Sequence, residues 1–259
     1  IMHVTTTPSV AYITRVDDFD CGIMISASHN PYYDNGIKLL NSNGEKMDEE
    51  TILMVEDYID GKIDVPLATR DEIGRTVDYV AGRNRYVGYL ISMSKYSFKD
   101  KKVGLDCANG ASWSIAKGVF DALGAKTFVM NAEPDGYNIN TDCGSTHIEH
   151  LQKFVVDNGL DIGFAYDGDA DRVMFVDDKA RFVAPDLVIA LMARYFCDER
   201  GEKRPRVLQE IRSSKAVAEY LVKNYDADVH TWRVGRAFAA PKLREIDGLW
   251  GGELAGHYY

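Results

Sequence analysis

Three carboxylates stand at alternate positions in Asp167-Gly168-Asp169-Ala170-Asp171-Arg172, directly after an apolar run. Crowded carboxylates repel one another, and a tight loop that orders them needs a compensating cation. A hard ion that prefers carboxylate and phosphate oxygens fits best, which points to magnesium. An EF-hand loop starts with similar spacing, but its closing Glu would fall on Asp178 and its flanks would be helices, so that reading is rejected. An acidic solvated turn is the plain alternative. Gly168 permits sharp curvature and Arg172 offers a bidentate clamp for a phosphate beside the ion. Metal-assisted phosphoryl chemistry is therefore the stronger reading.

A second candidate is Ser26-Ala27-Ser28-His29-Asn30-Pro31, at the end of another apolar run. A serine there presents its hydroxyl from a rigid base, and Pro31 restricts the backbone around it. The residue types do not choose between Ser26 and Ser28, and a turn-forming role for either stays open. His29 could donate a hydrogen bond to a phosphate or serve as a structural loop histidine. Lys38, beyond Asn35-Gly36-Ile37, brings a charge that could neutralise a phosphate or shuttle a proton.

These loops need a frame. Cys21 to Ser26 and Gly36 to Leu40 read as strands flanking the serine loop, with helical periodicity over Asp48 to Tyr58 and over Ile73 to Ser92. Strand Lys102 to Asp106, helix Ser112 to Leu123 and strand Ala125 to Met130 form a βαβ unit. Loop Asn131 to Ser145 and helix Thr146 to Asn158 lead to strand Leu160 to Tyr166, the acidic loop and strand Val173 to Asp177. A third unit follows: helix Leu187 to Phe196, a charged linker to Pro205, strand Arg206 to Ile211, helix Ser214 to Asn224, strand Asp228 to Trp232 and a helix over Ala237 to Ile246.

At 259 residues the chain is long enough for two or three domains. Its apolar fraction of 46% and charged fraction of 27% are those of a soluble globular protein. A formal charge of −10 argues against nucleic-acid and anionic-membrane partners, while leaving room for an anionic small substrate in a local pocket. Cys21 and Cys107 lie in apolar, strand-like stretches, and with Cys143 and Cys197 they form no CxxC, so buried thiols in a reducing, cytoplasmic setting are expected. No apolar run is long enough to span a membrane, and Ile1 to Val4 lack the basic start of a signal peptide. The absence of an initiator Met and the stop after a Gly-rich motif read as two cut ends.

The motifs together resemble the α-D-phosphohexomutases. Ile25-Ser26-Ala27-Ser28-His29-Asn30-Pro31 with Tyr33-Asp34-Asn35-Gly36-Ile37-Lys38 is similar to the phosphoserine loop of that family. The resemblance implies tandem mixed-sheet α/β/α domains, incomplete at both ends. They are a partial first domain at 1–98 with the phosphoserine loop, a second at 99–184 with the metal loop, and a partial third at 185–259 with the sugar loop. It makes Ser28 the phosphorylated serine, whose phosphate completes a Mg²⁺ site of Asp167, Asp169 and Asp171. His29, Lys38 and Arg172 become active-site groups, and Gly235, Arg236, Glu253 and His257 substrate-binding ones. A phosphosugar substrate, a sugar bisphosphate activator and a homodimer are also compatible with it. The implied reaction moves phosphate on a hexosamine by way of phospho-Ser28 and a bisphosphorylated intermediate.

Asp106-Cys107-Ala108-Asn109-Gly110, Pro134-Asp135-Gly136 with Asn138-Ile139-Asn140, and Cys143-Gly144-Ser145-Thr146-His147 resemble the phosphoglucosamine mutase branch. Arg212-Ser213-Ser214, Val234-Gly235 and the stretch Gly251 to Tyr259 look more like the phosphomannomutase/phosphoglucomutase branch. The sugar loop of the family reads GGExSGH, and Ala255 here replaces its serine, removing a hydrogen bond worth about 0.5–1.5 kcal/mol. Arg236 stands where His is usual in the second branch, and Ala240 where Lys is usual. Neither the start of the first domain nor a fourth domain with its phosphate-binding loop is visible, so weak or no turnover is expected of this chain. The rival readings are a phosphomannomutase/phosphoglucomutase, a non-catalytic sugar-phosphate-binding protein, and a HAD-like phosphatase, which would leave the Ser28 segment without a role.

Overall fold

In a computed structural model that describes all 259 residues, the chain forms three units, each built around its own sheet. Thr6 caps helix α1 (Thr7–Val16) by accepting from Ser9 N, and Pro8 occupies its first turn, where the missing N–H costs nothing. The helix packs on an antiparallel hairpin of β1 (Cys21–Ile25) and β2 (Ile37–Asn41). Contact is close because Gly22 has no side chain; a Cβ there would lie 3.2 Å from Val10 and 3.4 Å from Leu40. Helices α2 (Glu49–Ile59) and α3 (Val80–Met93) complete this unit, with Tyr12 of α1 stacked on Tyr89 of α3 at 4.3 Å.

The second unit has a five-stranded sheet in the order β4-β3-β5-β6-β7. Strands β3 (Lys102–Asp106), β4 (Lys126–Met130) and β5 (Ile162–Tyr166) run parallel, while β6 (Val173–Asp177) and β7 (Phe182–Val183) run antiparallel. Val103 and Leu105 pack on Ala116 of α4 (Ala116–Ala122), and Ala165 and Val176 on Leu151 and Val155 of α5 (Ile148–Asn158). Strand alternation thus gives the sheet two buried faces, each covered by a helix.

The third unit repeats this layering on a parallel sheet in the order β10-β8-β9, made of β8 (Arg206–Glu210), β9 (Asp228–Trp232) and β10 (Trp250–Gly252). Val207 joins Ile189 and Ala193 of α6 (Pro185–Ala193), Val217 and Leu221 of α7 (Lys215–Tyr225), and Trp250 in one core. Leu208, on the other face, meets Ala239 of α8 (Arg236–Glu245) and Ile246.

Three expectations from the sequence are corrected. Residues 73–79 do not join α3, because the chain start pairs with them instead. Tyr79 N donates to Ile1 O at 2.8 Å, and the Ile1 amino group to Val77 O at 2.6 Å. The helix expected over Ser112 to Leu123 is broken into a 3₁₀ turn at Ala111–Ser114 and the short α4. Cys21 is exposed, while Cys107, Cys143 and Cys197 are buried. The hairpin packs by one face only, and alternation puts Cys21, Ile23 and Ile25 on the other. No helix is long and apolar enough to cross a membrane.

Candidate active site

The β5–β6 turn places Asp167, Asp169 and Asp171 so that one carboxylate oxygen from each lies within 4.8 Å of the others. Asp167 and Asp169 are fully buried, and Asp169 Oδ1 has no hydrogen-bond partner. Burial, reinforced by the Asp171 and Asp169 charges, pushes the Asp167 carboxyl well above its usual range. An all-oxygen donor set of crowded, buried carboxylates and an orphaned carboxylate oxygen together fit a hard divalent cation. The clustered triad is thus a candidate metal centre.

The β1–β2 connection delivers Ser28. Ser26 N donates to Gly36 O at 2.9 Å, closing the loop, and a Cβ on Gly36 would stand only 2.5 Å from Ser26 O. Ser26 faces inward and its Oγ accepts from Ser28 N at 2.9 Å. Ser28 Oγ instead donates to Asp167 Oδ2 at 2.7 Å, so of the two serines it is Ser28 that reaches the triad.

Four cationic or ionisable side chains surround the carboxylates. Lys38 Nζ, on β2, donates to Asp169 Oδ2 and lies 2.9 Å from Asp171 Oδ2. Burial opposes its charge, but Asp171 and Asp169 outweigh that and raise its pKa above the ordinary lysine value. The Arg172 backbone N–H donates to Asp167 Oδ1 at 3.1 Å, and its Nη1 is 3.0 Å from His29 Nδ1. Burial and the Arg172 charge hold the His29 pKa down, so a neutral ring accepts from the guanidinium. Arg236 Nη1, at the start of α8, lies 3.5 Å from Asp171 Oδ2.

His257 completes the ring. Its Nε2 is 3.3 Å from Asp171 Oδ1 and its Nδ1 is 2.9 Å from Glu253 Oε2. Burial opposes protonation, yet the bonds to Asp171 and Glu253 prevail and lift its pKa to about 9. Glu253 Oε1 accepts from Gly235 N at 2.8 Å. Gly235 adopts φ 122°, which only glycine takes readily. Val173 N donates to Gly256 O at 3.0 Å, so the Glu253–His257 loop rests directly on the strand that leaves the acidic turn. Ten of the eleven sequence candidates therefore belong to the triad, touch it or touch a residue that does, while Gly235 reaches it through Glu253 and His257.

Two neighbours carried no role in the sequence reading. Thr7 is fully buried; its N–H donates to Asp169 O at 2.9 Å and its hydroxyl to Asp169 Oδ2. The Thr6-Thr7-Pro8 capping pattern was the signal that could have found the helix holding it. Asn140 Nδ2 donates to the carbonyls of Ser28 and Asn30, at 2.9 Å each. Its Gly/Asn-rich surroundings gave no sign of that contact.

Three family profiles match the chain in tandem, described as "Phosphoglucomutase/phosphomannomutase, alpha/beta/alpha" domain I over 1–64, domain II over 84–180 and domain III over 184–259. A phosphoglucosamine mutase from Lachnospira eligens is 51% identical over 261 residues, covering 99% of this chain and 57% of that protein. The chain belongs to the α-D-phosphohexomutase family. Another phosphohexomutase, the phosphoglucosamine mutase of Lachnoclostridium phytofermentans, is 53% identical over 262 residues, with the same 99% and 57% coverage. The chain thus spans 57% of the length of these curated relatives. Among solved phosphohexomutases, a phosphoglucomutase/phosphomannomutase family protein from Burkholderia thailandensis superposes with a TM-score of 0.84 at 23% identity. The overlap covers 98% of this chain and 56% of that one, and at this identity it speaks to the fold alone.

Proposed function

We propose that the chain carries the phosphoserine, metal and sugar loops of a phosphoglucosamine mutase, which interconverts glucosamine 6-phosphate and glucosamine 1-phosphate. The observation that carries this reading is the Ser28 hydroxyl hydrogen-bonded at 2.7 Å to a buried three-aspartate cluster. The phosphoglucosamine branch is favoured because relatives so named align over 99% of the chain, its last third included. We assign the phosphoserine loop to a domain at 1–98, the metal loop to 99–184 and the sugar loop to 185–259.

Asp167, Asp169 and Asp171 would hold Mg²⁺, which when bound neutralises charge on the phosphoryl oxygens. In the transfer itself, the free hydroxyl of the 6-phosphosugar attacks the phosphorus of phospho-Ser28. A new P–O bond forms to the sugar, the bond to Ser28 Oγ breaks, and the hydroxyl proton ends on Ser28 Oγ. Lys38, an ammonium between Asp169 and Asp171, is the proton reservoir for that exchange. Arg172 and His29, which touch one another beside Asp167, would donate to the phosphoryl oxygens. The resulting bisphosphate turns over and returns its other phosphate to Ser28.

Ser28 and Asp169 also border a cleft of about 1370 Å³ between the first two units, but its walls include Ile23, Ile25, Trp113 and Ile139. Such apolar walls suit a phosphosugar poorly, which favours the charged groups Arg236, Glu253 and His257, none of which lines that cleft, as the sugar's site. Glu253 and His257 would bind its hydroxyls.

Incubating the protein with glucosamine 1,6-bisphosphate and Mg²⁺ should add one phosphoryl group, located on Ser28 by peptide mass spectrometry. No phosphate on Ser28 would favour a non-catalytic sugar-phosphate-binding protein. Parallel turnover assays with glucosamine, mannose and glucose phosphates test the branch, and a preference for mannose or glucose phosphate would replace the substrate while keeping the chemistry.

A further inference from the structure

Ser28 has a left-handed backbone, with φ 57°. A residue with a Cβ keeps that conformation only where its surroundings over-determine it. Here they come partly from its own turn, where Ser26 Oγ accepts from Ser28 N at 2.9 Å and Asn30 N donates to Ala27 O at 3.1 Å, and partly from another unit. The Asn140 side-chain amide spans the carbonyls of Ser28 and Asn30, one on each side of His29, at 2.9 Å each. One rigid NH₂ group therefore clasps the turn that carries the hydroxyl.

Asn140 is itself firmly placed. Only 9% of it is exposed, and its N–H donates to Ala108 O at 2.9 Å. The loop before it is tied internally: Asp135 Oδ1 accepts from Tyr137 N at 2.7 Å and Asn138 N at 2.9 Å, and Asn138 Nδ2 donates to Glu133 O at 2.9 Å. Asn109 Oδ1 anchors the same loop by accepting from Glu133 N at 3.1 Å. Gly168 of the acidic turn sits against the clasp, where a Cβ would be 2.6 Å from Ser28 O and 2.9 Å from Asn140 Nδ2.

We propose that Asn140 is a positioning residue for phosphoryl transfer, holding Ser28 left-handed so that its hydroxyl meets Asp167. This rests on the phosphoserine reading above. Asn140 acts through the two backbone carbonyls it holds. Without the clasp the Ser28 turn relaxes toward extended backbone, and Oγ swings off Asp167.

The test is the time course of Ser28 phosphorylation by glucosamine 1,6-bisphosphate with Mg²⁺. In that step Ser28 Oγ bonds to phosphorus, the P–O bond to the sugar breaks, and the serine proton ends on the sugar oxygen. Asn140→Asp keeps the side-chain shape and removes both donors. Its maximal rate should fall roughly tenfold to a hundredfold, with the half-saturating donor concentration and the thermal response to Mg²⁺ unchanged. Asn140→Gln, which retains the amide, should recover part of the rate. An Asn140→Asp rate equal to that of the parent protein overturns the proposal, as does a loss confined to half-saturation. A parent protein that takes no phosphate overturns the phosphoserine reading, and the proposal with it. Should the variants not fold, the ¹⁵N-labelled parent provides the readout. The Asn140 side-chain protons should exchange with solvent at least about tenfold more slowly than those of a free amide. Exchange at the free rate overturns the proposal.

Discussion

Ser28 Oγ and Asp167 Oδ2 are joined by a 2.7 Å hydrogen bond between residues 139 apart in sequence. The contact links the hairpin loop of the first unit to the acidic turn of the second, while Ser26, two residues away, is spent on holding the Ser28 N–H. Ser28→Ala should therefore abolish phosphoryl uptake from a sugar bisphosphate, whereas Ser26→Ala should slow it without abolishing it. Intact-mass time courses read both, and phosphate appearing on Ser28→Ala would move the carrier elsewhere.

If the buried triad holds a divalent ion, as proposed, that ion should stabilise the fold. At a Mg²⁺ concentration a hundredfold above its Kd, the thermal midpoint should rise by the equivalent of about 2.7 kcal/mol. Asp169→Asn removes a buried carboxylate with an unpartnered oxygen and should lose most of that gain. Equal stabilisation by NaCl at matched ionic strength would count against a bound ion.

The His257 imidazolium gives a pH dependence of definite sign. Its folded pKa of about 9 exceeds the ordinary value of 6.5. The stabilisation is therefore complete below the ordinary value and fades as pH rises through the folded one, with a ceiling of about 3 kcal/mol. Urea titrations without divalent ions should show the parent protein losing stability over this window. His257→Gln should flatten the curve there; parallel curves for the two proteins would refute the assignment.

Thiol chemistry separates the cysteines. Burial pushes Cys107 up to about 11 and Cys143 up to about 12, and Cys197 is also raised by burial, whereas Cys21 is exposed. Iodoacetamide should modify Cys21 first in the native protein and all four cysteines in denaturant. Early labelling of Cys143 by peptide mapping would contradict this.

The site was legible in sequence where chemistry is written locally. Three aspartates at alternate positions after a strand lie together because one tight turn dictates it, and Lys38 follows the serine loop on the strand that must pair back. Periodicity was less reliable where a partner strand decided the outcome. Ile73 and Val77 have helical spacing, but backbone bonds to Ile1 near Val77 and Tyr79 keep that stretch extended. The run from Cys21 to Ile25 is continuously apolar and read as buried, while the hairpin covers only one of its faces. Asn140 and Thr7 were missed for a different reason. Their partners are 110 and 162 residues away, and no short spacing reports such contacts.

Lys38, Arg236 and His257 already offer positive charge to the carboxylates, and they belong to the first and third units while the aspartates belong to the second. These contacts fasten the first and third units to the second. The acidic turn is thereby the joint at which the three units meet, each outer unit holding it by charge. A joint held by charge is weakened by screening, so the hold of the outer units on the turn should slacken as ionic strength rises.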